Sequence, residues 1–257
     1  MRLLQLEADG EFSLVEFVGE NIPPYAILSH TWGADHEEVI FKDLVSEVGK
    51  DKKGYRKLTF CARQAAQHGL CFSWVDACCI DKTSSTELSE AINSMFKWYH
   101  NAAKCYVYLS DASTSELPSQ EEWKTAFQDS RWFTRGWTLQ ELVAPRSVKF
   151  FSKEGKLLGS KTSLLNEIHN ITGIPFQALQ GRPLSYFGVA ERLSWATGRR
   201  TKREEDAVYS LLGIFDVYVP LIYGEGKERA LIRLRKEIEE SFKNDRSALS
   251  PTLTTKP

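Results

Sequence analysis

The feature that most constrains this chain is an alternation in its first 110 residues, where short apolar runs take turns with segments of helical period. Pro23-Pro24 blocks a helix and leads into Tyr25-Ala26-Ile27-Leu28-Ser29, a buried-strand pattern that ends on a polar residue. Residues 54–68 then place Tyr55, Leu58, Cys61, Ala62, Ala65 and Ala66 at helical spacing, and Gly69 is a natural stop. Cys71 to Asp76 reads as a second strand. Ser84-Ser85-Thr86 offers N-cap candidates for a helix from Glu87 to Asn101, with Leu88, Ala91, Ile92, Met95 and Trp98 inward. Lys104 to Ser110 is a third strand. This order predicts a parallel sheet covered by helices. Ligands of such sheets gather beyond the carboxyl ends of the strands, where Ser29-His30, Asp76 and Ser110-Asp111 fall.

On the amino-terminal side, Leu3–Leu6 and Ser13–Phe17 flank Ala-Asp-Gly and predict a β-hairpin. After Ser110 come a polar loop to about residue 120 and a helix to Gln128. A helix opening near Gly136 follows, then a strand at Ser147–Phe151 with a partner near Lys156–Gly159. From Lys161 the pattern is mostly helical, at 162–171, 186–197, 204–214 and 227–242. The last of these sets Leu231, Leu234 and Ile238 on one face. Tyr223-Gly224-Glu225-Gly226 reads as a turn before it. Residues 243–257 are polar and contain proline, which predicts a disordered tail or linker.

Composition removes several function classes. A formal net charge of −1 and the lack of a basic stripe argue against nucleic acid and anionic membranes as partners. No segment approaches the roughly 20 apolar residues of a membrane span. Acidic residues interrupt the first 17 residues where a signal peptide needs an apolar stretch, so a cytoplasmic location is expected. Cys61, Cys71, Cys78, Cys79 and Cys105 sit in apolar stretches and read as buried, reduced thiols, with Cys78 and Cys79 on opposite faces of a strand. No CxxC or HxxxH pair suggests zinc, no resident cofactor is implied, and P-loop, GxSxG and HExxH motifs are absent.

Three blocks resemble those of the fungal HET (heterokaryon incompatibility) domain. Tyr25 to Trp32 (YAILSHTW) is similar to its opening YxxLSHxW signature. Trp74 to Asp81 (WVDACCID) is similar to its WIDxxCIDQ block, except that position 82 is Lys where Gln is usual. Arg135 to Leu142 (RGWTLQEL) is similar to its RxWTLQE block. The segment Arg203 to Gly226 also looks like the family's later portion. The resemblance implies a HET domain over 1–242, with a core at about 20–152 and a helical extension at about 160–242. It also implies a role in programmed cell death when unlike cells fuse, self-association, and a setting at the head of a longer receptor with NTPase or repeat regions.

HET domains have in turn been likened to TIR domains, which implies a TIR-like (flavodoxin-like) α/β fold. Ile27 to Ser29 with Trp32-Gly33 is similar to the TIR opening. Val107 to Ser110 followed by Trp137 to Leu142 is similar to the TIR segment that ends in WCxxEL. The glutamate of that segment is catalytic in TIR domains that cleave NAD, and Glu141 stands at the matching position. A carboxylate suits that chemistry, because breaking the nicotinamide–ribose bond builds oxocarbenium charge on the ribose. Ser29, His30, Trp32 and Ser110 are then candidates to line the substrate crevice. Asp76 and Asp81 are candidates for the ribose hydroxyls, Arg135 for a phosphate, and Trp137 for stacking on a ring from the same helix face as Glu141. Each has a plainer reading. Glu141 could cap or salt-bridge a helix, Trp137 could be core, His30 a hydrogen-bonded structural residue, Asp76 a cap, and Arg135 an ion-pair partner. A Cys79–His30 nucleophile pair is a further arrangement. If catalysis is absent, the same residues build an oligomerising signalling adaptor.

Overall fold

The computed structural model describes residues 1–19, 21–114 and 120–248. Seven strands form one sheet: β1 (Arg2–Leu6), β2 (Phe12–Glu16), β3 (Tyr25–His30), β4 (Phe72–Trp74), β5 (Lys104–Tyr108), β6 (Val148–Phe151) and β7 (Leu157–Ser160). Their spatial order is β2-β1-β4-β3-β5-β6-β7. The inner four, β4-β3-β5-β6, are mutually parallel, and β1, β2 and β7 extend the sheet with antiparallel pairs. Taken in chain order, the parallel strands run second, first, third, fourth, which is the flavodoxin-like order. β3 lies at their centre, and all six of its residues are buried.

The connections explain why both faces are covered. From β3 the chain passes through the helix Tyr55–Gln67 to β4, then through the helix Ser85–Asn101 back across β3 to β5. Right-handed crossovers in opposite directions set these two helices on opposite faces. Contacts agree. Phe60 packs on Tyr108 at 5.0 Å, and Tyr106 donates to Gln64 O at 3.1 Å on one face. Tyr99 donates to Leu28 O at 2.9 Å from the other. The second helix starts where its cap residues predict, with Ser84 Oγ accepting from Glu87 N.

Several expectations are corrected. The strand read at Cys71–Asp76 stops at Trp74, and Cys78 and Cys79 lie in a turn in which Cys78 N and Cys79 N both donate to Val75 O. They therefore do not alternate across a strand. Cys71 is exposed, while the other four cysteines are buried. The segment 186–197 holds a shorter helix, Val189–Ser194, and 204–214 breaks into Asp206–Tyr209 and Leu212–Phe215. The final helix runs Lys227–Ala248, so 243–248 continue the helix; residues 249–257 lie outside the described residues. The amino-terminal hairpin is part of the main sheet, since β1 pairs with β4. No helix among the described residues is long and apolar enough to cross a membrane.

Candidate functional site

Side chains alternate along a strand, so Ser29 and His30 at the end of β3 point to opposite faces of the sheet. Ser29 faces the helix Thr138–Val143. Its hydroxyl accepts from Trp132 Nε1 at 2.8 Å and donates to Glu141 Oε2 at 2.5 Å. An indole N–H can only donate, so the single Ser29 proton is directed at the carboxyl group. The Tyr99 hydroxyl, whose proton goes to Leu28 O, also neighbours Glu141. Glu141 is only 5% exposed. Burial pushes its pKa up to about 8, and the negative charge of Asp76 adds to the rise, against the hydrogen bond of Ser29, the neighbouring Tyr99 hydroxyl and the charge of Arg135.

His30 faces the helix Tyr55–Gln67 and meets Lys57. The Lys57 ammonium has three donors and three partners: His30 Nδ1 at 3.1 Å, Thr31 O at 3.1 Å and Glu38 Oε1 at 2.5 Å. An ammonium offers no lone pair, so His30 Nδ1 must accept and the imidazole proton sits on Nε2. Nε2 then donates to Asp76 Oδ1 at 3.1 Å. Asp76 also accepts from Trp32 Nε1 at 3.0 Å and lies 3.6 Å from Lys82 Nζ. Burial works to raise the Asp76 pKa, but Lys82, His30 and Trp32 together hold it well below the usual carboxylate range. Lys82, the departure from the family block, also sits 3.6 Å from the centre of the Trp32 ring. Asp76 is the hinge of the arrangement, since it bonds His30 while its charge reaches Glu141.

The other candidates disperse. Arg135 is half-buried and lowers the Glu141 pKa by its charge, while its carbonyl accepts from Arg199 Nη1 at 2.9 Å. Trp137 stands before the helix Thr138–Val143, and its indole neighbours the Asp206 carboxyl, so it turns to the later helices and not to Glu141. Asp81 binds the Thr83 amide and hydroxyl at 2.9 and 2.6 Å, a turn before the helix Ser85–Asn101. Its charged neighbour is Arg2, not His30. Ser110 Oγ lies 3.2 Å from Thr31 Oγ1 at the rim of a cavity of about 540 Å³. The Cys79–His30 pair does not form, because Cys79 Sγ accepts from Val75 N and both imidazole nitrogens are taken.

Sequence reasoning missed Lys57, Glu38, Trp132, Tyr99 and Arg199. Trp132 stands in the same segment as Glu141, where an indole near a buried hydroxyl was a usable signal. Arg199 is half-buried, and its loss of solvent pulls its pKa down to about 10 against the opposing charge of Glu141. Nothing in local spacing links it to position 141. Among the described residues, no cluster of three or more His, Cys, Asp or Glu side chains is placed to hold a metal ion. Glu141 lines neither the 540 Å³ cavity nor one of about 870 Å³ around Pro23, Pro24 and Trp98.

Residues 25–122 match the model of a family described as heterokaryon incompatibility protein (HET). Over 241 residues, 93% of its length, the chain is 58% identical to vegetative incompatibility protein HET-E-1 of Podospora anserina. It spans 18% of the length of that relative. No solved structure matches the chain.

Proposed function

This chain carries a domain of the heterokaryon incompatibility (HET) family, and on that premise we propose that it is a death effector of incompatibility that cleaves NAD to nicotinamide and ADP-ribose once it self-associates. The observation behind this reading is the pair of acids that bond Ser29 and His30 at the end of β3. Glu141 is pushed up to about 8 and Asp76 is held low, although each feels the other. Carboxyl groups driven apart in this way are characteristic of catalytic sites.

The chemistry follows from charge. NAD brings a positively charged pyridinium ring. Placed beside Glu141, that charge favours the ionised carboxylate, and Ser29 keeps it oriented. The nicotinamide–ribose bond breaks with its electron pair leaving on nicotinamide, which becomes neutral. The ribosyl cation faces Glu141, water adds to its anomeric carbon, and the proton of that water is released. Burial of Glu141 fits a domain that is silent until assembly opens a path to it. Regions of a longer receptor outside these residues would supply the clustering.

The test is nicotinamide release by the purified domain, free and artificially clustered, beside Glu141→Gln and Glu141→Ala. Release by the clustered wild type is expected to fall by about 10²-fold or more in both variants. Undiminished release in folded variants would sink the assignment of Glu141. A second reading, a non-enzymatic oligomerisation adaptor, rests on Glu141 being 5% exposed and bordering neither cavity. It predicts no release under clustering and full killing by Glu141→Gln.

A further inference from the structure

The 540 Å³ cavity beyond the ends of β3 and β5 carries a charge pattern that cleavage at Glu141 does not use. Its volume is that of a small-molecule site. Seven cationic side chains line it (Lys50, Lys52, Lys53, Arg56, Lys57, Arg131 and Lys153) against two carboxylates, Glu37 and Glu38. Five of the seven have acid partners: Lys50 with Glu11, Lys52 with Asp43, Lys53 with Glu37, Lys57 with Glu38, and Arg131 with Asp111. Arg56 and Lys153 have no carboxylate partner among the described residues.

Both are held where they stand by the backbone. Arg56 is in the first turn of the helix Tyr55–Gln67, which has no acidic residue in that turn and no side-chain cap. Helix starts favour negative charge, so cations gathered here repel one another and the dipole until an anion arrives. The Lys153 backbone is clamped on both sides, with its amide donating to Ala112 O at 2.8 Å and its carbonyl accepting from Tyr108 Oη at 2.5 Å. A lining so rich in cations suits a polyanion of few atoms. Lys57 and His30 place the cavity on the face of the sheet opposite Glu141.

We propose that this cavity binds a diphosphate-bearing small molecule, with Arg56 and Lys153 as its unpaired cationic contacts. The diphosphate belongs either to the dinucleotide substrate reaching over the sheet edge or to a separate nucleotide. The inference does not depend on cleavage at Glu141.

Titration calorimetry with inorganic pyrophosphate tests it on the wild type, Arg56→Glu, Lys153→Glu and Glu141→Gln, with Lys236→Glu as a charge-matched control on the distant last helix. Binding is expected in the wild type, in Glu141→Gln and in Lys236→Glu. It should weaken about tenfold or more in each of the two cavity variants and fall as salt rises. Pyrophosphate should also raise the wild-type melting temperature above that in chloride of equal ionic strength. Absence of wild-type binding, or equal weakening by Lys236→Glu, overturns the proposal. Displacement of pyrophosphate by NAD in the Glu141→Gln protein assigns the diphosphate to the substrate. Displacement by ADP but not by NAD assigns it to a separate ligand.

Discussion

Ser29 and His30 are neighbours in sequence and serve different faces of the sheet. Ser29 presents its proton to Glu141, while His30 is locked as the Nε2–H tautomer between Lys57 and Asp76. Glu141 makes the protein's stability depend on pH in a definable way. Its pKa is about 8 in the folded chain, against an ordinary value of roughly 4.3 when unfolded. Between those pH values the folded chain keeps a proton that the unfolded chain has released, so stability falls as pH rises through this window. Glutamine cannot ionise. The melting temperature of Glu141→Gln relative to wild type is therefore expected to climb by a few degrees from pH 5 to pH 9. A pH-independent difference would show that Glu141 is already ionised in the fold. Asp76 has the opposite sign: its depressed pKa lends stability above its ordinary pKa, and that contribution is lost on acidification.

Among the elements, the helix Leu212–Phe215 approaches the helix Ser85–Asn101 so closely that a Cβ at Gly213 would lie 2.1 Å from Phe96 Cβ. Two effects compete in Gly213→Ala. Helix propensity favours alanine by up to about 1 kcal/mol, whereas forcing the helices apart costs about 1–3 kcal/mol. The Phe96 atom concerned is at the root of its side chain and cannot swing away, so the clash wins. Denaturant unfolding should show a lower midpoint for Gly213→Ala, and a higher one would mean the contact relaxes freely. Glycine is also required inside the third motif block, where a Cβ at Gly136 would come within 2.4 Å of Thr201 Cγ2. The Gly136 amide donates to Arg200 O at 2.9 Å, so this motif residue serves to dock the segment carrying Glu141 on the later helices.

At the scale of the molecule, one buried cluster runs from Leu3 on β1 to Ile238 on the last helix. The sheet and the later helices therefore share a core. Leu234 of the last helix is fully buried. Leu234→Ala is expected to cost about 2–5 kcal/mol, and the loss should move the unfolding of the sheet as well as of the helices. Tryptophan fluorescence and far-ultraviolet dichroism should then shift together in denaturant. A shift in dichroism alone would show that the last helix unfolds as a separate unit. Glu141 and the basic cavity lie on opposite faces of that sheet, on either side of Ser29 and His30 at the end of β3.

Periodicity in the chain was sufficient to read the parallel sheet, its two covering helices and the strand end that carries Ser29 and His30, while β4 and β5 stop two residues short of Asp76 and Ser110. Those are local properties, since a buried strand must be apolar and a covering helix must repeat its apolar residues every three to four positions. The motif blocks likewise marked Glu141. Where helices break escaped the same reasoning, because the 204–214 pattern reads as one helix, whereas the chain breaks at Ser210-Leu211 and starts a second short helix that sets Gly213 on Phe96. Tertiary structure alone decided which candidates meet. It set Trp137 beside Asp206 and tied Asp81 to its own turn, and it brought Lys57, Tyr99 and Arg199 to the site from distant positions. Hydrogen bonds and charge act through space at a few ångströms, and spacing along a chain does not encode which side chains the fold brings that close.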